Sequence, residues 1–472
     1  MLSLCRALIF ATAVWPIVLA GEVAFAQTSV IEDYPFVESF AKDAWEKSSR
    51  AAAKDMAWWQ DAKFGVLIQW GPVVLTGKEV SWSRGGSRGP EGGAPNGEIL
   101  HETGLTPVEA YDNLYKRFDP TKFKAAEWVQ TAQQAGQRYF IFQAKHHDGF
   151  CFWNTKTTPY NIMNTPIHRD LLKEIAEACR KANMPLGIYF SQRDWYHPDY
   201  FGPRHERYIA YMHEQVRELL TNYGRVRILW LDAWYPGIFK STDWKSEELF
   251  EMARQLQPGI IINNRSGLPG DFDTPEDYVS EFQISRPWEH DFPVSAQWAW
   301  KPNDQIKSLK GSLDVIIECV VRGGNALLGV GPMPDGQLDP RQVERMKEIG
   351  EWLRKYGEAI YGTRGGPFIS AEWGGATWRG NNVYVHLLGW SGVREKGGGR
   401  EAWSIEKVLR LPAIAQKITD NRILTGGKAV IAQTHDGIEI QVPTPYRNPI
   451  DTIVELTLDS PVTVDVRQAR KR

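Results

Sequence analysis

The sequence predicts a (β/α)8-like TIM barrel followed by a C-terminal antiparallel β-sandwich. Three observations carry this. From about residue 60, short apolar, β-rich runs alternate with longer helical patterns, the signature of a parallel sheet covered on both faces. Six or more such units span about 300 residues, the scale of an eight-stranded barrel. After residue 365 the rhythm gives way to short strands of alternating polarity separated by Gly, Pro and Asn, which read as a small sandwich. The spacing leaves open how regular the barrel is. A doubly wound open sheet competes, but it calls for a Gly-rich phosphate turn after an early strand, and none is present.

The units follow in order. "FGVLIQWG" (64–71) is the first apolar run. "WVQTAQQAGQ" (128–137) is helical, and "YFIFQAKHHDGF" (139–150) reads as a strand ending in polar residues. "LLKEIAEACRKANM" (171–184) has helical spacing and leads into "PLGIYFSQRDW". The amphipathic "ERYIAYMHEQVRELLTNYG" (206–224) precedes "RILWLDAW". "SEELFEMARQLQPG" precedes "IIINNR" (260–265), and "LKGSLDVIIECVVRGG" (309–324) precedes "NALLGVGP" (325–332). The Gly-rich "SRGGSRGPEGGAPNGE" (83–98) follows the first strand, so it forms a loop at the carboxyl end of the barrel. "NNVYVHLLGW", "IEKVLRLP" and "GIEIQVP" are sandwich strands. The boundaries are 1–26 for a leader, 27–365 for the barrel and 366–472 for the sandwich.

The leader rests on an early Arg6, a short apolar run and the small-x-small "AFA" before Gln27, the pattern of a secretory signal peptide. It predicts an exported protein, periplasmic or secreted; a retained anchor is the alternative. No later stretch is long and apolar enough to cross a bilayer. Of the four cysteines, Cys5 leaves with the leader, and Cys151, Cys179 and Cys319 remain as an odd set with no Cys-x-x-Cys pair, which argues against a disulfide framework. The net charge of -2 excludes a basic nucleic-acid-binding surface. Twenty tryptophans suit either a Trp-rich core or flat, apolar sugar faces.

Barrel enzymes draw their reactive groups from strand carboxyl ends. Those ends hold Gln69 and Trp70; Lys145, His146, His147 and Asp148; Gln192 to Trp195; Asp232, flanked by Trp230 and Trp234; and Asn263 to Arg265. Glu276, Glu281 and Glu289 lie beyond. Asp232 has a plain reading as a helix cap, but "AWYPG" continues as loop. Adjacent histidines on a strand point to opposite faces, which argues against His146 and His147 sharing a metal ion. No G-x-S-x-G elbow is present. Carboxylates among tryptophans and hydrogen-bonding groups suit glycoside hydrolysis. One acid protonates the leaving oxygen, and a second carboxylate attacks or activates water.

With these residues in hand, the chain resembles glycoside hydrolase family 29, the α-L-fucosidases. The shared stretches include "WWQDAKFGVLIQWG", "AKHHDGF", "PLGIYFSQRDWYHPDY", "LWLDAW", "TPEDY", "RPWE", "GGNALLGVGPMPDGQL" and "IGEWLRKYGEAIYGTR", covering roughly residues 55–365. The resemblance implies a retaining mechanism on an irregular barrel with no metal or other cofactor. It implies a fucosylated or L-galactosylated glycan as substrate. Asp232 matches the nucleophile. His146 and His147 match histidines that hold sugar hydroxyls, and Tyr189 and Trp82 match pocket-lining aromatics. Arg265 matches an arginine near the acid/base, Trp300 an aromatic against the sugar methyl, and Trp234 walls the pocket with Trp230. The acid/base position shifts between subgroups: Glu276 is the first choice, Glu289 the second, and Glu281 trails. Two departures touch the pocket. Gln69 stands where the family usually has histidine, and Ser81 where it often has glutamate. They open the alternative of an α-L-galactosidase. A catalytically inactive carbohydrate-binding relative is the alternative of a different class, against which the intact carboxylates argue.

Overall fold

The structure is a computed structural model that describes residues 50–463, apart from 92–105, 234–238, 277–278, 280–281, 390–392, 397–398 and 403–407. The leader, much of the Gly-rich loop, Trp234 and Glu281 lie outside the described residues. Among the described residues no helix is long and apolar enough to cross a membrane.

Seven parallel strands form one sheet: Phe64–Ile68 (β1), Phe140–Lys145 (β2), Leu186–Ser191 (β3), Ile228–Asp232 (β4), Ile261–Ile262 (β5), Glu289–Pro293 (β6) and Asn325–Val330 (β7). Their order is β5-β4-β3-β2-β1-β7-β6. The gap between the edge strands β5 and β6 is bridged by two residues. Phe272 pairs with Asn263, and Asp273 pairs with Trp288, both in parallel. This short eighth stave closes the barrel. The strands are buried on both faces because helices such as Ala125–Gln134, Leu171–Lys181 and His205–Asn222 cover the outside.

The pleat sorts the side chains. Leu67, Ile141, Tyr189, Ile228, Trp230, Ile261, Phe272 and Leu327 meet inside the barrel together with Trp59 and Tyr139. Val66, Phe140, Phe142, Ile188, Leu229 and Leu328 face the helices. Gly65 is required where it stands, since a Cβ there would lie 2.1 Å from the Tyr139 ring.

The strand β6 corrects one expectation. Glu289 is its first residue, so its carboxyl lies at the amino end of the barrel and not at the mouth. It is fully buried. It accepts hydrogen bonds from the Tyr139 hydroxyl and, at 3.2 Å, from Trp230 Nε1. Glu289 is a polar plug in the barrel floor, and this position removes it from the choice of acid/base.

The second unit begins at the strand Arg364–Gly365, which pairs with Gly374–Arg379. A five-stranded sheet and a three-stranded sheet enclose a separate core of Val383, Val385, Leu411, Ile438, Ile440 and Val454. Tyr384 and Ile453 instead join the barrel's outer core, which ties the two units together.

Burial pushes the Glu289 carboxyl up from its ordinary 4.5 to about 7. A group whose pKa is raised on folding stabilises fully below its unfolded value and loses that contribution as pH rises through the folded one. Glu289→Gln stays neutral throughout. Its melting temperature relative to wild type is expected to rise by a few degrees between pH 4.5 and about 7. Calorimetry of both proteins across that window tests it, and a constant difference would refute it.

Candidate active site

The inward residues Ile228, Trp230 and Asp232 alternate along β4, so Asp232 emerges at the mouth one layer above Trp230. Its Oδ2 accepts from the Tyr189 hydroxyl, and its Oδ1 from Arg265 NH1 at 3.4 Å. Burial opposes the charge on Asp232. Arg265 and Arg193, then the Tyr189 hydroxyl, outweigh burial and hold the carboxyl below its usual 3.8. Burial and the neighbouring Asp232 in turn keep Tyr189 protonated, so it remains a donor.

Arg265 organises the rest. Its guanidinium lies 4.6 Å over the Trp230 ring. Nε donates to Thr274 Oγ1 at 2.9 Å, and NH2 to the Thr274 carbonyl at 3.0 Å and to Asp291 Oδ1 at 3.4 Å. NH1 spans Asp232 Oδ1 at 3.4 Å and Glu276 Oε2 at 2.6 Å. The five N–H groups of a guanidinium are thereby all engaged. The two NH1 contacts keep those two carboxyl oxygens within about 6 Å of each other, so the two acids face one small space, as a glycosidase pair requires. Glu276 keeps 38% of its side chain exposed, against 12% for Asp232, so its carboxyl faces the open side.

His146 and His147 sit just past the end of β2, where strand alternation no longer applies. Their rings are 4.0 Å apart and on the same side, which corrects the expectation that they diverge. His146 Nδ1 pairs with Ser81 Oγ at 2.6 Å and His147 Nδ1 with Ser191 Oγ at 2.7 Å. His147 Nε2 lies 3.7 Å from Asp232 Oδ2. The ligand atoms of His146, His147 and Asp232 all lie within 4.8 Å of one another. Two arginine charges bear on the same carboxylate, so the geometry suits sugar hydroxyls better than a cation. Burial, opposed in part by Asp232, pushes His146 down to about 3, and burial pushes His147 down as well. Both imidazoles are neutral at ordinary pH.

Aromatic rings wall this side. Trp82 stands edge-on to His147 at 5.5 Å and to Trp195 at 5.4 Å, and the Arg88 guanidinium lies over both tryptophans. The Trp300 indole donates to Asp339 at 2.8 Å. Its loop is clipped to the one after β1, because Glu79 accepts from the backbone N–H of Trp298 and Ala299, each at 2.8 Å. Gln69, the first residue past β1, is buried. Its Oε1 accepts no hydrogen bond from any described residue.

The structure thus gathers Asp232, Tyr189, His146, His147, Arg265, Glu276 and Trp82 around one mouth, with Gln69 and Trp300 on the β1–β7 side. It sends Glu289 to the floor. Reading the sequence missed Asp291, Thr274 and Ser191, and it placed Arg193 at a strand end without giving it a role. Alternation along "EHDFP" was the available signal for Asp291, since it shares a face with Glu289 two residues earlier.

A parallel barrel with a close carboxyl pair at its carboxyl-end mouth defines a glycoside hydrolase. The family model for "Alpha-L-fucosidase" matches residues 37–358, and the chain belongs to that family. The solved alpha-L-fucosidase isoenzyme 1 from Paenibacillus thiaminolyticus is 30% identical, with a TM-score of 0.73 over 88% of this chain and all of that one. The alpha-L-fucosidase of Dictyostelium discoideum is 26% identical over 82% of this chain and 88% of its own. Tissue alpha-L-fucosidase of Homo sapiens is 27% identical over 71% of this chain and 76% of its own.

Tyr189→Phe removes the hydroxyl that stabilises the Asp232 charge, so Asp232 becomes harder to ionise. The rising, acidic limb of the kcat/KM profile is expected to move to higher pH by about one unit. A pH–rate series on an aryl fucoside reads it, and an unmoved limb would show that this hydrogen bond leaves the carboxylate untouched.

Proposed function

We propose that the chain is a retaining exo-α-L-fucosidase that removes terminal α-L-fucosyl groups from glycans. The observation that carries this is the single Arg265 nitrogen bonded to both Asp232 and Glu276, which keeps their nearest oxygens within about 6 Å. In the first step an Asp232 oxygen bonds to the anomeric carbon. The glycosidic bond breaks, and its electron pair leaves with the aglycone oxygen as Glu276 gives that oxygen a proton. In the second step Glu276 takes a proton from water, the water oxygen bonds to the anomeric carbon, and Asp232 departs as carboxylate. His146, His147, Tyr189 and Gln69 hold sugar hydroxyls, while Trp82 and Trp300 pack against the ring and its methyl group; Trp234, outside the described residues, is assigned to substrate binding from the sequence alone. Residues 1–26 serve as a signal peptide that exports the barrel (27–365) and sandwich (366–472).

An α-L-galactosidase is the second reading. Gln69 favours it, because a neutral amide stands where the family usually has histidine and its buried Oε1 has no partner among the described residues. An apolar pocket alone rejects an added hydroxyl only about 10²-fold. Hydrolysis of aryl α-L-fucoside, α-L-galactoside, α-D-glucoside and β-D-galactoside decides between them. The fucoside is expected to lead, with α-L-fucose the first anomer seen by NMR. Inversion, or no fucoside turnover, would refute the reading.

Two substitutions test the roles. Asp232→Gly is expected to cut turnover by several orders of magnitude, with partial recovery in azide, which fits the vacated space and attacks from the same face. Wild-type-like turnover would exclude Asp232 as nucleophile. Glu276→Ala is expected to slow substrates with saccharide leaving groups about 10²–10⁴-fold, and activated aryl fucosides far less, because only the former need protonation. Equal losses on both would remove Glu276 from the acid role.

A further inference from the structure

We propose that Asp291 is a positioning residue for the catalytic pair. As the third carboxyl group on Arg265, it fixes the guanidinium between Asp232 and Glu276 and, in its ionised form, offsets its charge beside the proton that Glu276 delivers. The inference rests on the retaining-fucosidase reading above.

The geometry starts in β6. Glu289 and Asp291 share its inward face, and Asp291 stands one layer nearer the mouth. It is 4% exposed, and Arg265 NH2 lies 3.4 Å from its Oδ1. Asp291 and the Thr274 carbonyl anchor the NH2 end of the fork. That anchoring leaves NH1 to span the two catalytic carboxyls. Without Asp291 the NH2 group keeps only the Thr274 carbonyl, and the side of the guanidinium away from Thr274 is held less firmly. The spacing of Asp232 and Glu276 depends on where NH1 stands.

The charge argument runs alongside. A cation in contact with a carboxyl group favours the ionised form, yet Glu276 must hold a proton to act as an acid. Asp291 supplies a second carboxyl on the far edge of the same cation. The charged and titratable groups that face Asp291 are Arg265 after β5, Glu276 after the two-residue stave and Asp232 on β4. Its β7 partner is the apolar Leu327. Glu289, below it on the same strand, is hydrogen-bonded to the edge of Trp230. Burial is the largest influence on Asp291 and raises it. Arg265 opposes this, Glu276 and Asp232 reinforce it, and the group is pushed well above its usual range. Three carboxyls and one guanidinium therefore share protons as a unit. Once Asp291 ionises, its charge opposes the loss of a proton from a neighbouring carboxyl on the same cation.

The test is the pH profile of kcat/KM on a fucosyl disaccharide, whose leaving group needs the acid, for wild type, Asp291→Asn and Asp291→Ala. Melting curves establish which variants fold, and either folded variant decides. The falling, alkaline limb is expected to move to lower pH by about one unit. kcat is expected to drop about 10-fold, with KM within about twofold of wild type. An unmoved limb overturns the inference. So does a raised KM at unchanged kcat, which assigns Asp291 to substrate binding. A wild-type enzyme inactive on both the disaccharide and an aryl α-L-fucoside instead overturns the fucosidase reading.

Discussion

A buried guanidinium holds this barrel mouth together. Arg265 is 4% exposed, and a cation so far from water is costly unless its hydrogens are paired and its charge is met. Both conditions hold here: Thr274 takes two of its hydrogens, and Asp232, Glu276 and Asp291 take the others. Beneath it the Trp230 ring offers a π face at 4.6 Å. That ring is held by Tyr189, stacked at 5.3 Å, and by its Nε1 bond to Glu289. A column thus runs from the floor carboxyl through an indole and a guanidinium to the carboxyl pair at the mouth. Each layer fixes the one above it.

This column explains why the barrel is irregular where it is. The stretch between β5 and β6 carries Arg265, Thr274 and Glu276, and it gives up regular pairing to bring them inward. β5 has only two residues, and the stave after it only two more. Side chains complete the hydrogen bonding that a longer ladder would provide. Asn263 accepts from Leu231 N–H and donates to its carbonyl, at 2.8 and 2.9 Å. Asp271 accepts from Ile262 N–H at 2.8 Å. Arg286 and Asn264 both donate to Asp273. Buried backbone groups left open would be costly, and these polar side chains close them without a regular strand.

Legibility in the sequence followed the same division. β1 to β4 and β7 are runs of apolar, β-prone residues, and the alternation with helices was plain. Strand β6 was not. Its inward residues are Glu289 and Asp291, so "EHDFP" lacks the apolar character by which a barrel strand is read. With that strand unseen, Glu289 seemed to follow β5 at the mouth, and only its place as first residue of a strand separates it from Glu276. The histidine pair failed for a related reason. The rule of alternate faces holds within a strand, and β2 ends at Lys145. Asp232 and Arg265 were legible as strand-end residues because each follows an apolar run, whereas Tyr189, inside β3, entered only through the family resemblance.

The two halves of the mouth differ in charge, and the unusual residues follow that difference. The half built on β4 to β6 holds three carboxyls and a guanidinium. The half built on β1 and β2 holds Gln69, Ser81 and two histidines that burial keeps neutral. Neutrality matters there. An imidazolium 3.7 Å from Asp232 would pair with the nucleophile and compete with its attack. A carboxylate at position 81, beside His146 Nδ1, would favour an imidazolium on His146, whose charge also bears on Asp232; a serine hydroxyl fixes the ring without a charge. Gln69 acts in the same direction, since it donates and accepts but cannot ionise. Both departures from the family pattern thus remove a titrating group from the half of the pocket that only binds. Discrimination on that side then rests on shape and hydrogen bonds, and proton transfer is confined to the carboxyl groups around Arg265.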